Sequence, residues 1–362
     1  MSQHSGLALI SKSGCGAICN RQAGFSLVEL MISITLGLLI TTGVLSLYLD
    51  LSRSNAELAK MNRQIENGRF TIQLLQQELW HAGYWDSYVP PLPSMAPPTA
   101  IPNPCLGFSS WDAAYVVNLY SVPVQGYANG GALPAECSSI VTNRQSDSDV
   151  LVVRYVATCI AGTADCENYD ANKLYLQTQN CSDTGHANYV ASDPNMPANM
   201  PMLGTPGTVV YKKNCTTPAD IRKLITSIFY VRNYSATVGD GIPTLMRADM
   251  DLNGGSVVMQ SAQPIIEGIQ SVKFEYGRDI DEDGSADIFD DCVACTATDW
   301  ANVVAVRIHV LARNLEASSG YAENKTYTLG TTALGPFNDG FMRHVYSSYV
   351  RLVNPSGRRD KP

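Results

Sequence analysis

Two short stretches hold most of the chemistry open to this 362-residue chain. In the first, "DIDEDGSADIFD", Asp279, Asp281 and Asp283 alternate, Gly284 follows, Ser285 can offer its carbonyl, and Asp287 and Asp290 complete a twelve-residue loop. Oxygen donors two apart, a glycine for the sharp turn, and acids at the ninth and twelfth places are the ligand spacing of an EF-hand-type calcium loop. Carboxylates this close repel one another without a cation. An EF-hand proper has flanking helices, but here the strand-like "SVKFEYGR" enters and "DCVAC" leaves. The expectation is a structural calcium site in a β context. Asp290 is shorter than the usual bidentate Glu, so binding should be weak, about 10⁻⁴–10⁻³ M.

The second stretch, Cys292-Val293-Ala294-Cys295, has three readings: a redox motif, half of a zinc site, or a small disulfide ring. Zinc needs two further ligands at compatible spacing, and no second C-x-x-C exists. A redox motif opens a helix in a βαβ setting that the sequence lacks, which favours the disulfide. "DMDLNGGSVVMQ" repeats the acidic opening with Asp249, Asp251, Asn253 and Gly254, then places Val257 and Gln260 where acids are needed, so it reads as a plain turn.

Little else could be catalytic. His4, His81, His186, His309 and His344 are scattered, and H-E-x-x-H, G-x-S-x-G and phosphate-cradling glycine loops are absent. A net charge of −8 with 16% charged residues argues against a nucleic-acid binder, which needs a basic face. The expectation is a non-enzymatic protein. A membrane-tethered extracytoplasmic hydrolase and a calcium-dependent binding module stand as readings of a different class; the second would need a duplicated loop, and the second loop here is defective.

The elements that must carry these residues begin at the N-terminus. Leu30–Leu49 is free of charge, and twenty helical residues span about 30 Å, enough to cross a bilayer's hydrocarbon. Residues 1–24 hold His4, Lys12 and Arg21 and no acid, which keeps the N-terminus cytoplasmic and sends the chain beyond Asp50 outside. Of ten cysteines, Cys15 and Cys19 precede the apolar run. Cys105, Cys137, Cys159, Cys166, Cys181, Cys215, Cys292 and Cys295 follow it, an even set in a compartment that favours disulfides. Connectivity is open, with Cys159–Cys166 the natural short-range pair.

A plain anchor does not explain Glu29, because an acid in hydrocarbon is costly and is usually functional. "AGFSLVEL" resembles the processing site of type IV prepilins. The resemblance implies a cut after Gly24 by a prepilin peptidase, which discards a leader of residues 1–24, and a mature, N-methylated Phe25. It also implies that Glu29 pairs with the α-amino group of a neighbouring subunit in the filament. Such a pair serves register more than stability.

No proline occurs between Phe25 and Val89. Leu58, Met61, Ile65, Gly68, Ile72, Leu75 and Leu79 recur at steps of three and four, the narrow apolar face of a helix ending near Ala82 or Gly83. This predicts a helix over 25–83, with 25–51 as the transmembrane or filament core and 52–83 amphipathic, followed by a β-rich extracytoplasmic head over 84–362. "PPLPSMAPPTAIPNP" (90–104) reads as an extended surface connection. Strand-like runs lie at 149–157, 173–178, 208–213, 224–233, 270–279, 302–314 and 343–355, with period-two alternation clearest in Val304, Val306, Ile308 and Val310. The fold class is α+β: a long N-terminal helix packed on a mainly antiparallel sheet, enlarged by insertions between about 85 and 220, as in type IV pilins.

"NGRFTIQLLQQELWHAGYW", "GIPTLMR", "QPIIEGIQSVKFEYGRDIDEDG" and "WANVVAVRIHVLAR" resemble PilW-type minor pilins. That implies a non-catalytic subunit, held in the inner membrane before assembly and then on the cell surface. It would join other minor pilins and the major pilin to initiate a type IV pilus, at or near the tip, in support of adhesion or twitching motility. The alternative within the class is a J-type pseudopilin of type II secretion.

Overall fold

The computed structural model describes residues 24–128, 131–181, 202–204 and 210–359. The expected leader up to Ala23, with its Cys15 and Cys19, lies outside the described residues, as do His186 and the start of the 208–213 run. The chain divides into two compact units, Met1–Ala56 and Glu57–Pro362.

Helix α1 runs Leu27–His81. In the first unit its side chains face no protein: Leu30, Met31, Ile34, Leu38, Ile40, Val44 and Leu47 are all exposed. The hydroxyls of Thr35, Thr41, Thr42 and Ser46 donate back to carbonyls three or four residues earlier. They therefore require no outside partner, which is what an apolar surrounding demands. Mean hydropathy reaches 2.1 over an 18-residue window.

The second unit is built on antiparallel pairing. One four-stranded sheet has the order β10-β9-β11-β14, formed by β9 (Ile269–Arg278), β10 (Ile288–Asp290), β11 (Val303–Arg313) and β14 (Arg343–Arg351). An eight-stranded sheet joins β1 (Val124–Tyr127), β2 (Val150–Val156), β3 (Tyr175–Gln177), β4 (Met202–Gly204), β5 (Arg222–Arg232), β6 (Thr244–Asn253), β7 (Ser256–Met259) and β8 (Gln263–Glu267). A small hairpin, β12 (Tyr327–Leu329) with β13 (Thr332–Leu334), completes it. The described part of the 208–213 run, residues 210–213, forms no strand: Tyr211 makes one isolated bridge to Pro218.

The later part of α1 shares a core with both sheets through Leu75, Leu79 and Ala82, packed among Val153, Phe229, Phe274 and Ile308. The buried stripe differs from the expected one. Leu58 and Met61 are exposed, and the buried residues are Gln64, Gly68, Thr71, Leu75, Glu78 and Leu79. The helix lies over a sheet margin whose carbonyls need donors, so polar side chains enter the seam: Gln64 Nε2 donates to the carbonyls of Ala312 and Met342. Gly68 is required by close approach, since the ring of Tyr346 occupies the space a Cβ would fill.

The proline-rich stretch 90–104 runs partly at the surface, as expected, with Pro91, Met95, Pro97 and Ile101 exposed, but it is also anchored in the head. Pro90, Pro93, Pro98, Pro102 and Pro104 are buried, and the Pro102 carbonyl accepts from the buried Arg154 guanidinium. Proline brings no N–H that burial would leave unpaired, so such a segment can be buried without a ladder. A second core holds α2 (Ala113–Ser121) against the far face of the larger sheet through Leu119 and Tyr120. Beyond β10 come α3 (Ala297–Ala301), opened by a Thr296–Asp299 capping box, and finally α4 (Val353–Gly357).

Candidate functional site

At the N-terminus, Gly24 has open space around it and Phe25 is 83% exposed. Glu29 sits at the third helical position and its Oε2 accepts from the Ser26 amide at 3.0 Å, half of a capping box. Within one chain the acid thus serves an orphan amide at a helix N-terminus, where negative charge is favourable. The same carboxylate remains exposed and can accept a second charged donor.

The acidic loop leaves β9 and returns as β10. Asp279, Asp281 and Asp283 place one carboxylate oxygen each within 4.8 Å of one another. Two left-handed residues, Glu282 (φ 58°) and Gly284 (φ 89°), turn the chain there. Asp279 is fully buried: its carboxylate accepts from the amides of Asp283 and Gly284 and from Arg359 Nη1 at 3.1 Å. Desolvation, followed by the charges of Asp283 and Asp287, holds the Asp281 carboxyl above its ordinary range. Backbone and arginine donors engage the remaining predicted carboxylate ligands and one member of the cluster, Asp283. Asp287 Oδ2 accepts from the Ile280 amide, Asp283 Oδ1 from the Ser285 amide, and Asp290 pairs with Arg278 at 2.5 Å. The three alternating acids therefore form a cluster that could hold a hard cation, while the twelfth position is committed to a strand arginine.

Arg278, Arg359 and Glu282 are functional neighbours that spacing alone could not have named. Arg359 lies 80 positions from Asp279, and Glu282 ties the loop to Ser94 in the proline-rich stretch at 2.6 and 3.0 Å. No local signal in the sequence marks either contact.

All eight cysteines that follow the apolar run are paired: Cys105–Cys137, Cys159–Cys166, Cys181–Cys215 and Cys292–Cys295. The last closes a small ring beside the acidic loop, and Cys292 takes a left-handed φ of 52°. Its sulfurs, being oxidised, are not thiolate ligands. The second acidic stretch is a hairpin: β6 and β7 turn at Gly254-Gly255. Asp249 accepts from Ser227 and Arg247, and Asp251 from Lys223.

The scattered histidines resolve into ring and ladder contacts. His81 stacks on Tyr155 and His344 packs edge-on against Tyr346. His309 bridges Ser347 at 2.8 Å and Glu275 at 3.5 Å across three strands. Ser347 lies exposed on the sheet face, so this is a cross-strand polar row, with no cleft around the hydroxyl.

Residues 228–354, from mid-β5 into α4, match the model of the Type IV Pilus-assembly protein W family, and residues 19–45 match the prokaryotic N-terminal methylation motif. A type IV-like pilin from Thermus thermophilus aligns over 81% of this chain and 97% of its own, at 12% identity and a TM-score of 0.34. No curated protein matches. The fold assignment rests on the long helix and antiparallel sheets themselves. With a methylation motif leading an apolar helix and the assembly-protein pattern in part of its head, the chain resembles PilW-like type IV pilins.

Proposed function

We propose that the chain is a minor subunit of a type IV pilus that helps to initiate assembly, at or near the tip, with other minor pilins and the major pilin as partners. The observation that carries this is the junction Gly24-Phe25 followed by Glu29 at the head of an unpartnered apolar helix, in the same chain as a PilW-like head. On this reading a peptidase removes residues 1–24, and the helix holds the subunit in the inner membrane with its head in the periplasm. Glu29 then exchanges its contact with Ser26 for the α-ammonium of a neighbour as the subunit leaves the lipid. The head binds and stabilises without catalysing, and in it the loop at Asp279, Asp281 and Asp283 holds calcium as a structural ion. The exposed carboxylate of Glu29 and the 4.8 Å cluster support these two assignments.

The test is the N-terminal sequence and mass of the protein from cells with and without prepilin peptidase. A chain starting at methylated Phe25 only when the peptidase is present is expected, and an intact leader in both strains would overturn it. Glu29→Ala should leave membrane insertion unchanged and reduce incorporation into pili at least tenfold. Normal incorporation would remove the ion-pair role.

A further inference from the structure

We infer that the outer edge of β14 is a docking site for an extended strand of a partner protein, with an acidic side chain of that strand received in the cavity between β14 and helix α1. An open sheet edge is a template on which another strand can add, and folded proteins ordinarily shorten, interrupt or cover it. β14 closes one side of the four-stranded sheet and pairs only with β11. It runs for nine residues in unbroken register, and "RHVYSSYVR" holds no proline, glycine, lysine or acid. The other edge strands of the two main sheets, β1, β4, β7, β8 and β10, have only three to five residues each. The Leu352 amide donates to the Val304 carbonyl at 2.8 Å, which sets the alternation along the β11–β14 pair. His344, Tyr346, Ser348 and Val350 therefore bond to β11, and the N–H and C=O groups of Val345, Ser347 and Tyr349 point to the open side. These last groups meet no backbone partner among the described residues, and Ser347 and Tyr349 are exposed.

The cavity beside this edge sets the chemistry of the occupant. It holds about 350 Å³; α1 supplies Met61, Ile65 and Arg69, β14 supplies His344 and Tyr346, and the segment before β12 supplies Lys325. No carboxylate lines it, in a chain of net charge −8. Arg69 is exposed and, among the described residues, forms no ion pair with Glu66 or any other acid. Glu323, two residues before Lys325, is buried and accepts from Tyr321 and Tyr327. Side chains alternate between the faces of a strand, so the residues of an added strand that lie beside His344 and Tyr346 enter this cavity. A glutamate there would set its carboxylate against Arg69 and Lys325 and its methylenes against Met61 and Ile65. A second copy of this chain is the wrong occupant. Its β14 has no acid to offer, and antiparallel pairing of two such strands about Ser347 sets Arg343 of one opposite Arg351 of the other. Backbone pairing supplies the affinity of such a contact, and the alternate side chains its selectivity.

The experiment uses the full chain in non-denaturing detergent and follows, by fluorescence anisotropy, a labelled nine-residue peptide of alternating glutamate and valine. Saturable binding is expected, at least tenfold tighter than that of the same peptide with lysine in place of glutamate. N-methylation of alternate amides along one side of the peptide should abolish binding, and methylation along the other side should leave it within threefold. Ser347→Pro should also abolish binding, since proline removes an outward N–H that the ladder with β11 does not use. Arg69→Gln with Lys325→Gln should weaken binding at least tenfold. No saturable binding to the wild-type chain, or binding indifferent to methylation on either side, would overturn the docking edge whatever the variants do, so a variant that fails to fold leaves the test intact. Dimerisation of the wild-type chain that Ser347→Pro abolishes would assign the edge to a second copy and equally overturn the proposal. The titration involves no assembly step, and its failure is thus distinct from a failure of the pilus reading.

Discussion

The clearest energetic prediction concerns Asp149 and Lys273, which fasten the two sheets together. Lys273 Nζ lies 2.8 Å from Asp149 Oδ1, and the two side chains are only 8% and 5% exposed. Asp149 Oδ2 also accepts from the Phe274 amide at 3.1 Å, and its own amide donates to the Val272 carbonyl. Asp149→Ala therefore strands a buried ammonium, a loss of about 3–5 kcal/mol, and deprives a buried amide of its acceptor, about 1–3 kcal/mol more. Against a total stability of about 5–15 kcal/mol, this is near the limit of what the head can lose. Asp149→Asn keeps an acceptor for the amide and should fall at roughly half that loss. The double variant Asp149→Leu with Lys273→Met removes both charges and should recover most of the stability, because a buried pair contributes little net of its desolvation. Urea unfolding of the full chain in detergent, disulfides intact, measures all three. If the double variant is as unstable as Asp149→Ala, the uncompensated charge is not the cause and the reasoning fails.

Two further predictions follow from the loops. Calcium should bind the full chain at about 10⁻⁴–10⁻³ M. Asp281→Asn with Asp283→Asn should abolish the calorimetric signal while Asp290→Asn leaves it within twofold, since Asp290 is held by Arg278; an Asp290-dependent signal would contradict the observed loop. Asp240 accepts first from the Ile242 amide and also from those of Thr237, Ser235 and Ala236, which hold its carboxyl down to about 2. Its folded value lies below the unfolded one, so its stabilisation is present above about pH 4 and fades as pH falls toward 2. The stability difference between wild type and Asp240→Asn should shrink over that interval in a pH series of unfolding curves, and a constant difference would exclude the mechanism.

Much of this molecule is written locally. Helix α1 follows from an apolar run continued by a proline-free amphipathic one, and its end from Gly83, whose left-handed φ of 71° stops the helix. Strands β9, β11 and β14 follow from period-two alternation, which puts Val306, Ile308 and Val310 in the core and Arg307 on the open face. The motif around Gly24 and the acid at Glu29 are legible in the sequence because a short motif and a helix N-terminus are both defined by neighbouring residues.

What the tertiary structure decided is the partner of each polar group. The seam under α1 took Gln64 and Glu78 in place of Leu58 and Met61, because Gln64 answers sheet carbonyls while Glu78 accepts from Tyr155 and Arg247. The acidic loop gave up Asp290 to Arg278 and tied Asp279 to Arg359. Four disulfides were chosen from the many an even cysteine set allows. Periodicity is a property of neighbours a few residues apart, and the sequence carries it in full. An ion pair 80 positions apart, or the choice of which prolines in 90–104 are buried, depends on where the chain returns, and only the packed fold fixes that.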